Sequence, residues 1–267
     1  MAQSAYSILS DLLSSAVQDP SSGIRDQLSD ILDVVLSSSP TKTDTTLASV
    51  WAAVLGNCML ALHATDPEKS AKTVSKAWKA AWPLLESQDT EARKAGSQAL
   101  KQVVQCFTPS LIQAALSESG SQEKKSVIGR IISQTTKAFD VLSFARSIPE
   151  LLSVVSSLVE NLRYRSGQRT STTAAEQLLL PLITKVGDLR VQKTFEYKEA
   201  ADATLGTAMR VLGPKVLLKA LPLNLEPADR CVHLRLHLLR TDEHIVKPAM
   251  NLVLFCFHFC PSRTHLL

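Results

Sequence analysis

Apolar residues recur three and four positions apart along almost the whole chain, and this spacing is the strongest constraint on its fold. Three consecutive stretches, residues 8–16, 24–35 and 47–62, each place Leu, Ile, Val or Ala on one side of a helix. A half-buried β-strand would instead alternate apolar and polar residues with a period of two. The chain is therefore predicted to bury one apolar stripe on each of many helices.

Short turn signals separate the predicted helices. Pro20, Pro40 and Pro67 each follow an Asp or Ser, and a proline behind such a capping residue favours the first turn of a helix. Further helices are predicted at residues 71–85, 90–107, 110–116, 123–139, 148–162, 174–186, 197–212 and 215–221. Because the connections are short, consecutive helices are expected to pack as antiparallel pairs.

Composition and a weak repeat favour one architecture. Aromatic residues make up 5% of the 267 residues and hydrophobic residues 45%, so aliphatic side chains must form most of the core. Asp89 in a turn, followed by Arg93 early in the next helix, is typical of HEAT repeats, in which two such side chains bond from one repeat to the next. The sequence predicts an all-α fold, a HEAT/armadillo-like α-solenoid of antiparallel helix pairs, with an irregular helical bundle as the alternative.

The net charge and the positions of the cysteines restrict the binding partners and the cellular compartment that the sequence predicts. The formal net charge of +4 permits contact with nucleic acid or acidic partners without requiring it. Charged residues interrupt nearly every apolar stretch, and residues 249–260 are too short to span a bilayer, so neither a membrane helix nor a signal peptide is predicted. Cys58 and Cys106 lie within apolar helical patterns, which is typical of packed thiols in a reducing compartment such as the cytosol or nucleus.

The stretch ADATLGTAMRVLGPKVLLKALPLNL, residues 201–225, contains two glycines near basic residues, but no strand is predicted before it, as a phosphate-binding loop would require. Gly206 is expected to allow close helix approach. Gly213 is expected to end a helix in the left-handed cap conformation. Pro214 then begins the next helix and Pro222 closes it.

Within this stretch, ADATLGTAMRVLGP followed by LPLNLEPADR closely resembles the ribosomal RNA-processing protein 12 family, large eukaryotic HEAT-repeat proteins of ribosome biogenesis. The resemblance is strongest over residues 194–230, and RKAGSQAL at residues 93–100 extends it upstream. It implies a karyopherin-like, non-enzymatic scaffold of small-subunit maturation and export in the nucleolus and nucleus. The implied partners are pre-ribosomal particle proteins and pre-rRNA, with no cofactor, small-molecule substrate or membrane.

Four predicted blocks follow from these observations. Residues 1–162 form a first block of helical repeats, residues 163–173 a flexible basic loop, and residues 174–230 a second block of repeats. Residues 231–267 depart from the expected family pattern and are predicted to form a divergent, disordered tail. Since family members are far longer, the chain is expected to be an internal or N-terminal portion of such a solenoid.

A first candidate RNA contact lies at Lys69, Lys72, Lys76 and Lys79, which recur at intervals of three, four and three and so share one side of a helix. Such a row could follow the phosphates of RNA. A solvated polar face of a repeat helix is the simpler explanation of the same pattern.

A second candidate lies in the predicted loop, where Arg163, Arg165 and Arg169 offer guanidinium groups and Tyr164 offers a ring on which a base could stack. Unpaired RNA favours this combination. An ordinary flexible loop is the alternative. If neither candidate contacts RNA, the chain would be a karyopherin-like protein–protein adaptor.

Catalytic and metal sites are not predicted. His63 lies in an apolar helical pattern, and the many serines have no convincing base partner. Eight of the eleven Cys and His residues fall in the predicted tail, but their spacing matches no recognised zinc motif. We therefore predict a binding protein without a metal. An enzyme built on helices is the least favoured hypothesis.

Overall fold

The computed structural model describes residues 2–18, 24–40, 44–117, 126–165 and 172–222. In these ranges the chain forms eleven α-helices and no β-strand, which confirms the predicted all-α class. The helices are α1 Ala2–Gln18, α2 Leu28–Ser37, α3 Thr45–Thr65, α4 Pro67–Ala81, α5 Thr90–Gln105, α6 Pro109–Ser117, α7 Val127–Ala138, α8 Ile148–Asn161, α9 Ala174–Val191, α10 Lys198–Leu212 and α11 Pro214–Ala220. Three 3-10 turns lie at Arg25–Gln27, Trp82–Glu86 and Leu142–Ser147.

The helices form two layers. In the first layer α1, α3, α5, α8 and α10 each contact the next helix of that series, and in the second layer α2, α4, α7 and α9 do the same. Pairs such as α4 with α5 and α9 with α10 join one helix from each layer. This is the stack of helix pairs predicted from the sequence, and α8 of the predicted first block packs directly on α10 of the predicted second block.

Hydrogen bonds define the direction of the first-layer helices. The amide of Gln102 on α5 donates to Asn57 Oδ1 on α3 at 2.9 Å, and four residues further on the Cys106 thiol donates to the Met59 carbonyl at 3.4 Å. From the first bond to the second, the residue number increases on both helices, so α3 and α5 run parallel. The second-layer helix between them, α4, supplies the return path, as expected for stacked antiparallel pairs.

Local signals determine where the helices begin. A side-chain oxygen accepts a hydrogen bond from a first-turn backbone N–H at Asp44, Asp66, Asp89, Ser126 and Thr173. Behind the Asp66 cap, α4 begins at Pro67, as the Asp66–Pro67 signal predicted, and so includes the turn that precedes the apolar pattern of residues 71–85. The backbone N–H of Lys69 is the largest cause of the lowered pKa of Asp66. At its other end α4 passes into a 3-10 turn at Trp82, because Pro83 has no N–H to continue the helix.

The α9 helix extends beyond its predicted end at residue 186. It continues through Gly187 to Val191, and Gly187 is buried. A Cβ atom at Gly187 would lie 2.5 Å from Leu221 Cδ2, so the glycine makes room for that leucine after α11. Tertiary packing therefore overrides the weak helix propensity of glycine at this position.

The predicted roles of the signature residues hold in part. Pro214 is the first residue of α11, and the exposed Pro222 follows the end of that helix. Gly213 ends α10 with a positive φ of 85°, but its ψ of 156° lies outside the left-handed helical region that was predicted. At Gly206 a Cβ atom would meet no atom of the described residues within 4 Å, so none of the described helices makes the close approach that was predicted there.

Two buried tryptophans join helices through their indole N–H groups. Trp51 on α3 donates its indole N–H to the Val35 carbonyl of α2 at 2.8 Å. Trp78 on α4 donates to Gln134 on α7 at 3.1 Å and stacks on Trp82 with ring centroids 5.4 Å apart. Trp51 and Trp78 thus each bury a large apolar area while the single donor of the indole ring is satisfied.

Two buried arginines bridge elements, though not in the predicted way. Asp89 caps its own helix, so its carboxylate does not reach across a repeat; Arg93 instead lies 3.8 Å from Glu150 at the start of α8. On the next pair, Arg190 of α9 binds Asp202 of α10 through two hydrogen bonds of 2.6 and 2.8 Å. Because these charges are largely removed from water, each depends on its partner.

Within the part of the chain that the structure describes, two segments are apolar and long enough to cross a membrane by length and composition, Thr45–Thr65 and Leu142–Asn161. The sequence prediction overlooked the first, which contains no Lys, Arg, Asp or Glu. In the fold, 56% of each segment's apolar window is buried inside the protein. A core helix of a solenoid has this composition because it is covered on several sides.

Replacing two helical glycines by alanine should have opposite effects on stability. Alanine is the better helix former by about 0.5–1 kcal/mol. At Gly206 the added methyl group meets open space, so Gly206→Ala should raise the free energy of unfolding by about that amount. At Gly96 it would lie 2.7 Å from Leu84 Cβ, so Gly96→Ala should lower it by about 1–3 kcal/mol. Urea unfolding followed by circular dichroism measures the free energy of unfolding of both variants. Equal changes in the two variants would contradict the close contact between position 96 and Leu84.

Removing one partner of the buried ion pair should be costly. The Arg190 side chain is only 8% exposed, and Asp202→Ala removes its carboxylate partner. We therefore expect the free energy of unfolding to fall by about 3–5 kcal/mol. Replacing both residues together, with Arg190→Met and Asp202→Leu, should restore at least half of that loss in urea unfolding. Glu91→Ala, which breaks an exposed pair with Lys94, is the control and should cost no more than about 1 kcal/mol.

Candidate RNA-binding surfaces

The first candidate surface is the row formed by Lys69, Lys72, Lys76 and Lys79, called here the lysine face. All four residues are exposed, while Val74 and Trp78 of the same helix are buried. At 1.5 Å per residue the row extends over about 15 Å of α4. The structure therefore brings the four predicted lysines together on the solvent side of the second layer.

One of these lysines has a partner within the helix. Lys69 Nζ lies 3.5 Å from Asp66 Oδ2, and both side chains are substantially exposed. Such surface pairs contribute little and are screened by salt. Lys69 can therefore exchange Asp66 for a phosphate at small cost.

The second candidate surface is anchored by the backbone of residues 162–165. The Ala174 N–H donates to the Tyr164 carbonyl at 2.8 Å, and the Ala175 N–H donates to the Leu162 carbonyl at 2.7 Å. Arg165 also forms an antiparallel bridge with Thr173, the residue that caps α9. These bonds hold the exposed Arg163 and Arg165 at the start of α9, whereas the predicted Arg169 lies outside the described residues.

The role predicted for Tyr164 does not fit its surroundings. This residue is half-buried and packs against the hydrophobic core. Its ring contributes to the fold instead of standing free as a platform for a base. The basic residues beside it are exposed, so charge rather than stacking characterises this part of the chain.

Arg163 and Arg165 border a cavity of about 890 Å³, called here the arginine groove. The described residues that line it are Gln105, Glu160, Asn161, Arg163, Arg165, Thr173, Thr207, Arg210 and Val211. They come from the C-terminal ends of α5, α8 and α10 and from the start of α9. The parallel course of the first-layer helices brings these three ends to one edge of the stack.

Sequence reasoning missed Glu160 and Arg210 as members of this site. Arg210 lies on α10, far along the chain from Arg163, and no local pattern links the two residues. Arg210 lies in the last turn of α10 and Arg163 follows the end of α8, and a basic residue at such a position commonly offsets the negative end of the helix dipole. Among the groove-lining residues none belongs to α4, so the groove and the lysine face are separate surfaces.

The side chains that could act in catalysis are bonded or buried within the fold. His63 Nδ1 lies 2.9 Å from Ser70 Oγ, a partner the sequence prediction did not foresee, but Ser70 is fully buried and also donates to the Pro67 carbonyl. Burial lowers the pKa of His63. Burial also raises the pKa of the Cys58 and Cys106 thiols to about 12, which keeps both protonated and unreactive at neutral pH.

Metal-ligand chemistry can be assessed only for part of the chain. Within the ranges that the structure describes, no three His, Cys, Asp or Glu side chains come together as a metal site. The Cys and His residues of the predicted tail, residues 231–267, lie outside the described residues. The two basic surfaces therefore remain the candidate sites.

Known proteins similar to this chain point to one family. The sequence model for the HEAT repeats of ribosomal RNA-processing protein 12 matches residues 86–263. The match includes every residue that lines the arginine groove and lies beyond the lysine face. It also continues to residue 263, past residue 230, where the sequence alone predicted the resemblance to end.

Two curated relatives agree with that match. The chain is 26% identical over 224 residues to a Schizosaccharomyces pombe protein named as a ribosomal RNA-processing protein 12, which covers 83% of this chain and 17% of the relative. It is 25% identical over 203 residues to ribosomal RNA-processing protein 12 of Saccharomyces cerevisiae, covering 73% of this chain and 16% of the relative. The chain thus spans less than a fifth of the length of the curated relatives it matches. With a family model that covers more than half of its residues, the chain belongs to the ribosomal RNA-processing protein 12 HEAT-repeat family.

Proposed function

We propose that this chain is part of a non-enzymatic HEAT-repeat scaffold that binds pre-rRNA and assembly factors during maturation and export of the small ribosomal subunit. Support comes from family membership and from the names of two relatives, which describe ribosomal RNA processing. We infer that this activity takes place in the nucleolus and nucleus, the locations that the family resemblance implies. The partners are pre-ribosomal proteins and pre-rRNA, and the activity is binding, without a cofactor.

The lysine face is the observation that carries the RNA contact. Four exposed ammonium groups stand in one row on a rigid helix whose other side is buried in the core. Rows of this kind neutralise successive phosphates and release the counterions that surround RNA. Because Val74 and Trp78 anchor the helix, the row keeps its spacing without a change in the fold.

A specific observation favours the second candidate function, a karyopherin-like protein–protein adaptor without RNA contact. Leu142 is 91% exposed and Val141 is 47% exposed, at the turn between α7 and α8. They border a cavity of about 410 Å³ with Phe139, Phe195 and Tyr197. Exposed apolar surface of this kind is typical of protein contacts, and it is also compatible with a scaffold that binds both RNA and assembly factors.

Removing the lysine face should weaken binding to pre-rRNA. In a variant carrying Lys69→Ala, Lys72→Ala, Lys76→Ala and Lys79→Ala, we expect the slope of log affinity against log salt to fall by about 3, since each phosphate contact contributes roughly 0.7–0.9. Fluorescence anisotropy with a structured pre-rRNA fragment at several salt concentrations measures the slope.

A variant with the same loss of charge elsewhere is the matched control. Lys137, Lys193, Lys215 and Lys219 are exposed and lie outside α4, so replacing these four by Ala should change the slope much less. An equal loss in both variants would mean that net charge, rather than the lysine face, determines binding. Salt-insensitive or absent binding by the unaltered chain would reject the RNA contact and leave the protein adaptor.

A further inference from the structure

We propose that the arginine groove binds a single unpaired nucleotide of RNA and prefers guanine. This inference rests on the proposed RNA contact but concerns a different surface from the lysine face. It adds Arg210, Glu160, Asn161 and Gln105 to Arg163 and Arg165, two of the three arginines that the sequence singled out.

Hydrogen bonds within the fold position the groups around the groove. The backbone pairing of Arg165 with Thr173 fixes one rim to the start of α9. On the opposite side Arg210 Nη2 donates to Thr207 Oγ1 at 3.0 Å, which orients the guanidinium along α10. The Asn161 amide donates to the Ser157 carbonyl at 2.9 Å and so holds its own oxygen in a defined direction. The Arg210 guanidinium, the Asn161 amide and the backbone of Arg165 are therefore positioned before a ligand arrives, which lowers the cost of binding.

The charge of the groove suits an anion. The described lining residues include three guanidinium groups, of Arg163, Arg165 and Arg210, and one carboxylate, that of Glu160; Arg165 and Arg210 each also have a partner within the protein, which a phosphate would join or replace. A guanidinium presents paired N–H donors that match two oxygens of a phosphate. Offsetting the negative ends of three helices is the competing structural role for these arginines, and the two roles predict different effects of substitution.

The remaining polar groups suit the edge of a base. An ionised carboxylate only accepts hydrogen bonds, and guanine offers two adjacent N–H donors on its pairing edge, whereas the other bases offer fewer. Asn161 and Gln105 line the same cavity with amides that both donate and accept. Glu160 would therefore distinguish guanine from uracil, which has one such donor.

Size and polarity favour an unpaired nucleotide over other anionic partners. A volume of about 890 Å³ lies within the range of roughly 300–1,000 Å³ typical of small-molecule sites, and in a duplex the pairing edges of the bases are already occupied. A phosphorylated peptide would use the arginines but would leave Glu160 facing a negatively charged ligand. An unpaired nucleotide uses the cations through its phosphate and the carboxylate through the N–H donors of its base.

The experiment compares oligonucleotides and variants by fluorescence anisotropy. The probes are single-stranded RNAs of equal length, one of uracil alone and one with guanine substituted at intervals, and a duplex of the same length. The charge variant carries Arg163→Gln, Arg165→Gln and Arg210→Gln. The base variant is Glu160→Gln, with Glu199→Gln, an exposed residue at the far end of α10, as its matched control. Circular dichroism and the midpoint of thermal unfolding verify that each variant is folded.

Two results are expected. The charge variant should bind single-stranded RNA at least about tenfold more weakly, with the salt slope lowered by about 2, since each phosphate contact on a single strand contributes roughly 0.7. Glu160→Gln should reduce the preference for the guanine-containing strand about tenfold and leave binding to the uracil strand unchanged. Glu199→Gln should change neither value.

Other results would overturn the proposal in distinguishable ways. If both groove variants bind single strands normally while the lysine-face variant does not, the nucleotide site is rejected and the proposed function stands. Absence of binding to any RNA by the unaltered chain rejects both. A charge variant that lowers only the unfolding temperature assigns the arginines to the helix ends. A phosphorylated peptide is also tested as a competitor of the guanine-containing strand. If it displaces that strand at a lower concentration than uracil RNA requires, the groove binds a protein partner.

Discussion

Aliphatic packing between parallel first-layer helices is the interaction on which the rest of this structure depends. No helix pair can bury both of its apolar sides alone, so each is stable only against its neighbours. Leu55 of α3, Leu100 of α5 and Leu151 of α8 are all fully buried. Burying a leucine side chain contributes about 1.5–3 kcal/mol, and the sum over the stack offsets the entropy of ordering many short helices.

Polar groups at the seams add specificity to this packing. Arg93 with Glu150, and Arg190 with Asp202, are buried pairs that would leave an unpaired charge if neighbouring elements slipped. Such pairs add little net stability over apolar residues of the same size, so their consequence here is a defined register. That register determines which residues meet at the open edge of the first layer, where the arginine groove lies.

The two basic surfaces divide the proposed contact with RNA into different tasks. The lysine face offers only charge in a regular row, which suits the phosphate backbone irrespective of sequence. The arginine groove combines charge with a carboxylate and amides, which suits a single exposed base. Since the chain spans less than a fifth of its relatives, both surfaces would act as parts of a much longer scaffold. A rigid stack keeps them at a constant separation.

The sequence by itself determined the features that arise within one helix or one turn. Apolar spacing, the Asp66 cap before Pro67 and the lysine row were predictable, because their periodicity follows from helix geometry alone. Only the tertiary structure decided that Gly187 and not Gly206 is needed for close packing, that Tyr164 is half-buried, and that Arg210 faces the same cavity as Arg163. Each of these depends on residues distant along the chain, whose contacts are determined by the register of the stack and not by any local pattern.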